Sequence, residues 1–268
     1  MPKRPHPVQG LLGFLIISLM LMSAGQNLRA AGPKDSARAD APLPQKASDL
    51  LGGFSKAIAY SGFRHGQHPD RGDGPLYPSE ENIIEDLNIL ARDGNFDLLR
   101  MYDSGKNSED VLRVIKSRQI SLKVMLGAWL AAEVYNTNCP WLKDQFSPQV
   151  LAANRRKNQQ QVESAIRLAN QYPDVVVAVN VGNEALVNWT DHLVPVDSVI
   201  SYVRAVKRAI RQPVTVADNY DWWARQGAAL AKELDFISVH TLAPERALVL
   251  RCRPVTAVHK SLAGKTVG

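Results

Sequence analysis

The sequence predicts an α/β fold of the TIM (β/α)8-barrel type, incomplete, with about six of the eight β/α units present. Three observations predict it. Apolar strand-like runs alternate with helical patterns six times, the rhythm of a parallel sheet with helical crossovers. Each run ends in polar or aromatic residues, as barrel strands do at the C-terminal mouth where sites are built. No G-x-G-x-x-G or P-loop segment follows any run, so the doubly wound alternative lacks its phosphate fingerprint.

AIAYSGF (57–63) reads as the first strand and PSEENIIEDLNILARDG (78–94) as the first helix. Ser79 is its expected N-cap, acids fill its first turn, and Gly94 stands at a C-terminal cap position. FDLLRMY (96–102) is the second strand, and SEDVLRVIKSRQ (108–119) a helix capped by Ser108. LKVMLGAWL (122–130) is the third strand. Ser147-Pro148 opens a long helix to about Gln171, with proline at the first position, where no N–H is needed. VVVAVNVGN (175–183) is the fourth strand, and Asp197 is expected to cap a helix to about Gln212. PVTVADNY (213–220), a helix near 224–233 and DFISVH (235–240) complete the series.

The chain divides into four stretches. Residues 1–25 carry Lys3 and Arg4, an apolar run and a Ser-Ala-Gly site, the pattern of an export signal. The apolar run is shorter than a spanning helix needs, and residues 10–24 are kept as an uncleaved membrane anchor in the alternative reading. Residues 26–52, rich in Ala, Pro and charge, read as a linker, 53–241 as the barrel, and 242–268 as an aberrant tail. The expected location is exported: periplasmic or extracellular, or held at the inner membrane if the anchor stays.

A length of 268 residues, 45% hydrophobic and 22% charged, suits a globular chain with one large core. The net charge of +6 is spread over mixed-sign helical faces such as Asn154-Arg155-Arg156-Lys157, so no nucleic-acid partner is read. Cys139 and Cys252 are too few for a disulfide framework and lack zinc spacing, and whether they pair stays open. His65, His68, Asp70 and Asp73 lie in a Gly/Pro-rich loop without fixed ligand spacing. No metal and no cofactor is expected, and Arg71-Gly72-Asp73 reads as a turn. A G-x-S-x-G elbow is missing, which removes a serine-hydrolase reading.

The chemistry centres on Asn183-Glu184 at the end of the fourth strand. A carboxyl partly desolvated at a strand end has its pKa raised toward the range useful for proton donation. Asn183 beside it can hydrogen-bond a substrate hydroxyl. From spacing alone, the alternative is that Glu184 caps the following helix. Tyr60, Tyr102, Trp129, Tyr220 and Trp222 fall at or just after strand ends, where rings can serve as platforms for the C–H faces of sugars or as core. His240 ends the sixth strand as a further polar contact.

IAYSGFRHGQHPDRGDG, DLLRMYDSG, VVAVNVGNEAL, VTVADNYDWW and FISVHT together resemble bacterial members of glycoside hydrolase family 17, from about Gly53 to Thr241. The resemblance implies a (β/α)8 barrel acting on β-1,3-glucan by a retaining mechanism with two carboxylates. It makes Glu184 the acid/base and Asn183 the residue that binds the hydroxyl next to the cleaved bond. It implies a β-glucan polysaccharide or oligosaccharide as partner. The family's nucleophile is a second Glu on strand seven, and no residue here matches it; the chain continues LAPERALVLRCRPVTAVHKSLAGKTVG. That departure implies a truncation or frameshift near residue 242 and a chain that is poorly active or inactive alone. Two other readings remain open: a β-glucan glucosyltransferase or branching enzyme of β-1,3/β-1,6 glucan synthesis, and an inactive carbohydrate-binding fragment.

Overall fold

The computed structural model describes residues 55–70, 72–142 and 146–241. The expected signal or anchor (1–25), the linker (26–52), and the tail (242–268) lie outside the described residues, as does Cys252. No helix among the described residues is long and apolar enough to cross a membrane.

Six strands form one sheet in chain order, β1 (Ala57–Ala59), β2 (Leu98–Arg100), β3 (Lys123–Ala128), β4 (Val176–Asn183), β5 (Val214–Asn219) and β6 (Ser238–His240). Every neighbouring pair is parallel. The crossovers are α1 (Glu80–Asn88), α2 (Lys106–Ser117), α3 (Pro148–Gln171), α4 (Val196–Ala209), and the short pair α5 (Tyr220–Gln226) and α6 (Ala228–Ala231). This is the expected incomplete (β/α)8-type barrel, a curled half-barrel flanked by helices. Local chemistry sets the helix starts. Ser79 accepts from the Asn82 N–H at α1, and Ser147 from the Val150 N–H at α3, where Pro148 follows.

Several boundaries differ from the sequence reading. Helix α2 starts at Lys106 behind Gly105, so Ser108 is not its cap. Instead Ser108 is buried inside the first turn, its hydroxyl 2.8 Å from the Asp103 carbonyl oxygen. Pro195 is the N-cap of α4, and Asp197 is a first-turn acid. Helix α1 passes into a π-helical turn, Ile89–Asp93, which Gly94 ends. Strand β1 is three residues long because the chain turns away at Gly62, whose φ is +76°. Helix α5 begins at Tyr220, directly at the end of β5, some four residues before the expected start.

Alternation along the strands, broken in β4 where Val177 and Ala178 fall together, separates two cores. Leu99, Val124, Leu126, Val176, Val179, Val214 and Val216 pack against the helices. Helices α2 and α4 answer with Val111, Leu112 and Ile115, and with Val199, Val203 and Val206, at helical spacing. A smaller cluster of Leu98, Met125, Val177, Ala178 and Phe236 fills the other face. Two residues beyond Leu98 on that inner face comes Arg100, and four beyond Phe236 comes His240. The inner surface therefore runs from apolar at the strand starts to polar at the strand ends.

Gly127 governs the approach of β3 to the end of β2. A Cβ there would overlap the Tyr102 carbonyl, a backbone group that cannot swing aside. Gly127→Ala is therefore expected to lower stability by about 1–3 kcal/mol or more, the usual cost of overpacking. Thermal unfolding followed by circular dichroism checks this; an unchanged midpoint would contradict it.

Candidate active site at the strand ends

Strand β4 delivers Asn183 and Glu184 through an irregular exit. Its register with β5 breaks between Asn180 and Asn183. Gly182 takes φ +85° and Glu184 φ +48°. A left-handed φ is natural for glycine but strained for glutamate, and such strain gathers at functional sites. The ladder nevertheless continues, since the Glu184 N–H donates to the Ala217 carbonyl at 2.9 Å. Helix α4 begins only at Val196, so Glu184 does not cap it. Its side chain is 37% exposed and faces His240.

Arg100, at the end of β2, joins this pair to β6. Its Nη2 donates to Asn183 Oδ1 at 2.5 Å, and its Nη1 lies 3.0 Å from His240 Nε2. A guanidinium can only donate, so His240 Nε2 accepts and its proton sits on Nδ1. Nδ1 then donates to Glu184 Oε1 at 2.8 Å. A relay thus runs from Arg100 through His240 to Glu184. Burial shifts the Arg100 pKa below its ordinary value, but a guanidinium starts high enough to keep its charge. Its Nε is buried with no acceptor among the described residues. Because Asn183 Oδ1 is taken by Arg100, the Asn183 amide presents its N–H donors elsewhere.

The expected aromatic residues divide into three groups. Trp129 (36% exposed) and Tyr220 (53% exposed) stand open just beyond β3 and β5. The Trp129 ring lies 4.7 Å from that of His192, whose Nε2 is 2.9 Å from the Asn183 carbonyl oxygen. That contact ties the Trp129 ring to the exit of β4. Tyr102 is half-buried beneath the Arg100 guanidinium, 5.0 Å from its ring centre. Tyr60 is half-buried against the core, and its hydroxyl donates to Asp86 at 2.9 Å. Burial and the Asp86 charge raise its pKa, so this hydroxyl is committed to holding β1 to α1. Trp222 is a correction to the sequence reading. Because α5 starts at the strand end, its first turn folds Trp222 into the core, edge-on to Trp223, and it offers no open face.

Residues outside the sequence-derived set complete the site. The loop after β3 is sewn to α3 by Asn158, which bonds both the N–H and the carbonyl of Ala131 and also Glu133 Oε1 at 2.9 Å. Glu133 is buried beside Tyr202 and Asn158; burial raises its pKa, but hydrogen bonds from Tyr202, Asn158, Ser198 and Arg155 outweigh this and hold it below the ordinary value. Asn136 reaches the carbonyls of Asn188 and Thr190, so the loops after β3 and β4 form one wall. Asp218, at the end of β5, is fully buried and accepts from the N–H groups of Leu186 and Asn219. The signal that would have found Arg100 and Asp218 is a charge within an otherwise apolar strand. In the loop after β1, Asp70 accepts from the Gly72 and Gly74 N–H groups; Arg71 of the expected turn lies outside the described residues. Those bonds hold its carboxyl below the ordinary value. No group of three His, Cys, Asp or Glu placed to hold a metal occurs among the described residues.

No protein-family model matches the chain, and no curated protein matches it. Among solved structures it is similar to an endo-laminarinase from Formosa Hel1_33_131, at 25% identity and TM-score 0.58, over 74% of this chain and 52% of that one. It is also similar to a glycoside hydrolase family 17 β-1,3-glucanosyltransferase from Rhizomucor miehei, at 18% identity and TM-score 0.46, over 70% of this chain and 57% of that one. The chain thus spans somewhat more than half the length of each.

The buried Asp218 has a measurable signature. Burial pushes its pKa up from 3.8 to about 7, so folding takes up a proton between those values. Its contribution to stability is most favourable below about pH 4 and is lost as pH rises to about 7, the reverse of an ion-paired carboxylate. The difference in Tm between the wild type and Asp218→Asn should fall across that window and level off above it. A difference that rises with pH would contradict this assignment. Arg100→Met, which strips Asn183 and His240 of a charged donor, should cost about 2 kcal/mol in denaturant unfolding.

Proposed function

We propose that the chain is a glycoside hydrolase acting on β-1,3-glucan, with Glu184 as its acid/base, working outside the cytoplasm as its N-terminal segment implies. One observation carries the reading: the Glu184 carboxyl stands partly exposed at the barrel mouth, its Oε1 fixed by His240 and Asn183 held beside it by Arg100. The likeness to the endo-laminarinase supports the substrate class. With Oε1 receiving the His240 N–H, Oε2 is the oxygen that carries the proton.

In the proposed reaction that proton passes to the glycosidic oxygen as the bond from that oxygen to the anomeric carbon breaks. The carboxylate left behind keeps its hydrogen bond from His240, and later takes a proton from the incoming water. Asn183 Nδ2 donates to the neighbouring sugar hydroxyl, while Trp129 and Tyr220 take sugar faces. A retaining course needs a second carboxylate at the anomeric carbon. Asp218 is not that group, because it is fully buried with both oxygens engaged. The segment compared with the family's seventh strand lies outside the described residues.

Laminaritriose binding, followed by calorimetry, and reducing-sugar release from laminarin test the proposal together. Glu184→Gln should keep the binding affinity and lose about 100-fold or more of the turnover, the usual contribution of a general acid. Trp129→Ala should weaken binding about fivefold, the worth of one stacked ring. Absence of laminaritriose binding, or turnover unchanged in Glu184→Gln, would sink the assignment.

A further inference from the structure

The exit of β4 poses a mechanical problem that the hydrolase reading does not address. Two residues out of three, Gly182 and Glu184, hold left-handed backbone conformations, and the strand register slips just before them. Glutamate in that conformation relaxes unless its surroundings over-determine it. Beside the His192 contact to the Asn183 carbonyl, three hydrogen bonds to the backbone of residues 184–186 do so. The Glu184 N–H is held by Ala217, the Ala185 carbonyl accepts from the Val194 N–H at 2.8 Å, and the Leu186 N–H meets Asp218 Oδ2 at 3.0 Å. The first two bonds are made by backbone groups. The third is made by a side chain, fully buried, and by the only ionisable group of the three.

We propose that Asp218 is a positioning residue for Glu184: its buried carboxyl clamps the strained exit of β4 through the Leu186 N–H, and so fixes the direction in which the Glu184 side chain leaves the strand. The clamp is itself rigid. Asp218 sits on β5, its other oxygen accepts from the Asn219 N–H at 2.7 Å, and Asn219 in turn caps α5 through the Asp221 N–H. One carboxyl therefore couples the exits of two adjacent strands. An ionised carboxylate accepts both N–H groups more strongly than a neutral carboxyl. Glu184 and His192 are the titratable groups that face it, and β6 places only Val239 opposite. Protonation of a residue that touches no substrate thus reaches Glu184 through the Leu186 N–H, two residues further along the chain. The inference rests on the proposed role of Glu184, but its structural part does not require turnover.

The test separates these parts. In the wild-type protein without sugar, the Asp218 side-chain carboxyl carbon and the amide signals of Leu186, Asn219 and Glu184 are followed by NMR from pH 5 to 9. All four are expected to titrate with one midpoint, and Asp218→Asn should abolish the amide titration. Amide midpoints that differ from that of Asp218, or that persist in Asp218→Asn, would overturn the clamp. If the variant does not fold, the wild-type midpoints alone decide it. For the catalytic consequence, Asp218→Asn should bind laminaritriose as the wild type does and lose about tenfold or more in kcat on laminarin, as misplacement of a reacting group does. Unchanged kcat would overturn the positioning role even with the clamp confirmed. If the wild type shows no turnover, the hydrolase reading fails while the NMR result still decides the clamp.

Discussion

The mouth of this half-barrel depends on one guanidinium. Arg100 leaves β2 and bonds Asn183 on β4 and His240 on β6, so one rigid fork spans five of the six strands. Lysine could not substitute, because a point charge cannot hold two divergent acceptors in a plane. The fork also decides protonation. By donating to His240 Nε2 it leaves the imidazole proton on Nδ1, which is why Glu184 receives a hydrogen bond from the ring. Position, tautomer and carboxylate environment all follow from the same donor.

The cost of that arrangement is burial of charge, and the structure offsets it locally. Arg100 lies over the face of Tyr102, whose negative π-surface partly replaces lost water. Below it the inner face is apolar, with Leu98, Met125, Val177 and Phe236 closing the strand starts. Water is excluded from beneath while the strand ends stay open, the gradient that a barrel site requires. Gly127 makes the geometry feasible by letting the carbonyl of Tyr102 sit against β3, where any side chain would collide.

Glu133 shows a second use of buried charge. It lies off the strand ends, satisfied by Asn158 and Tyr202 at close range, and its role is to bind the loop after β3 to helices α3 and α4. Through Asn136 the same loop grips the segment after β4. The open ring of Trp129 therefore stands on a fixed wall, stacked near His192. Glu133, Asp218 and Glu184 are three carboxyl groups near the same end of the sheet. Of these three only Glu184 has a substantial part of its surface open to solvent.

Much of this was readable in the chain itself. The six alternations from Ala57 to His240, the serine caps of α1 and α3, and the polar strand ends follow from periodicities of two and 3.6 and from local capping chemistry, which need no partner across space. Asn183-Glu184 was legible for the same reason: a polar pair breaking an apolar run is visible locally. Trp222 was misread because its burial depends on α5 starting at Tyr220, and an aromatic ring looks the same in a cleft and in a core. Arg100 bonding a histidine 140 residues away, and Asp218 bonding the Leu186 N–H, carry no local trace. Sequence alone determined which residue types arrive at the mouth, since strand ends are set by nearest neighbours. The tertiary structure decided which of them meet, because hydrogen bonds between separate strands exist only once the sheet brings those strands together.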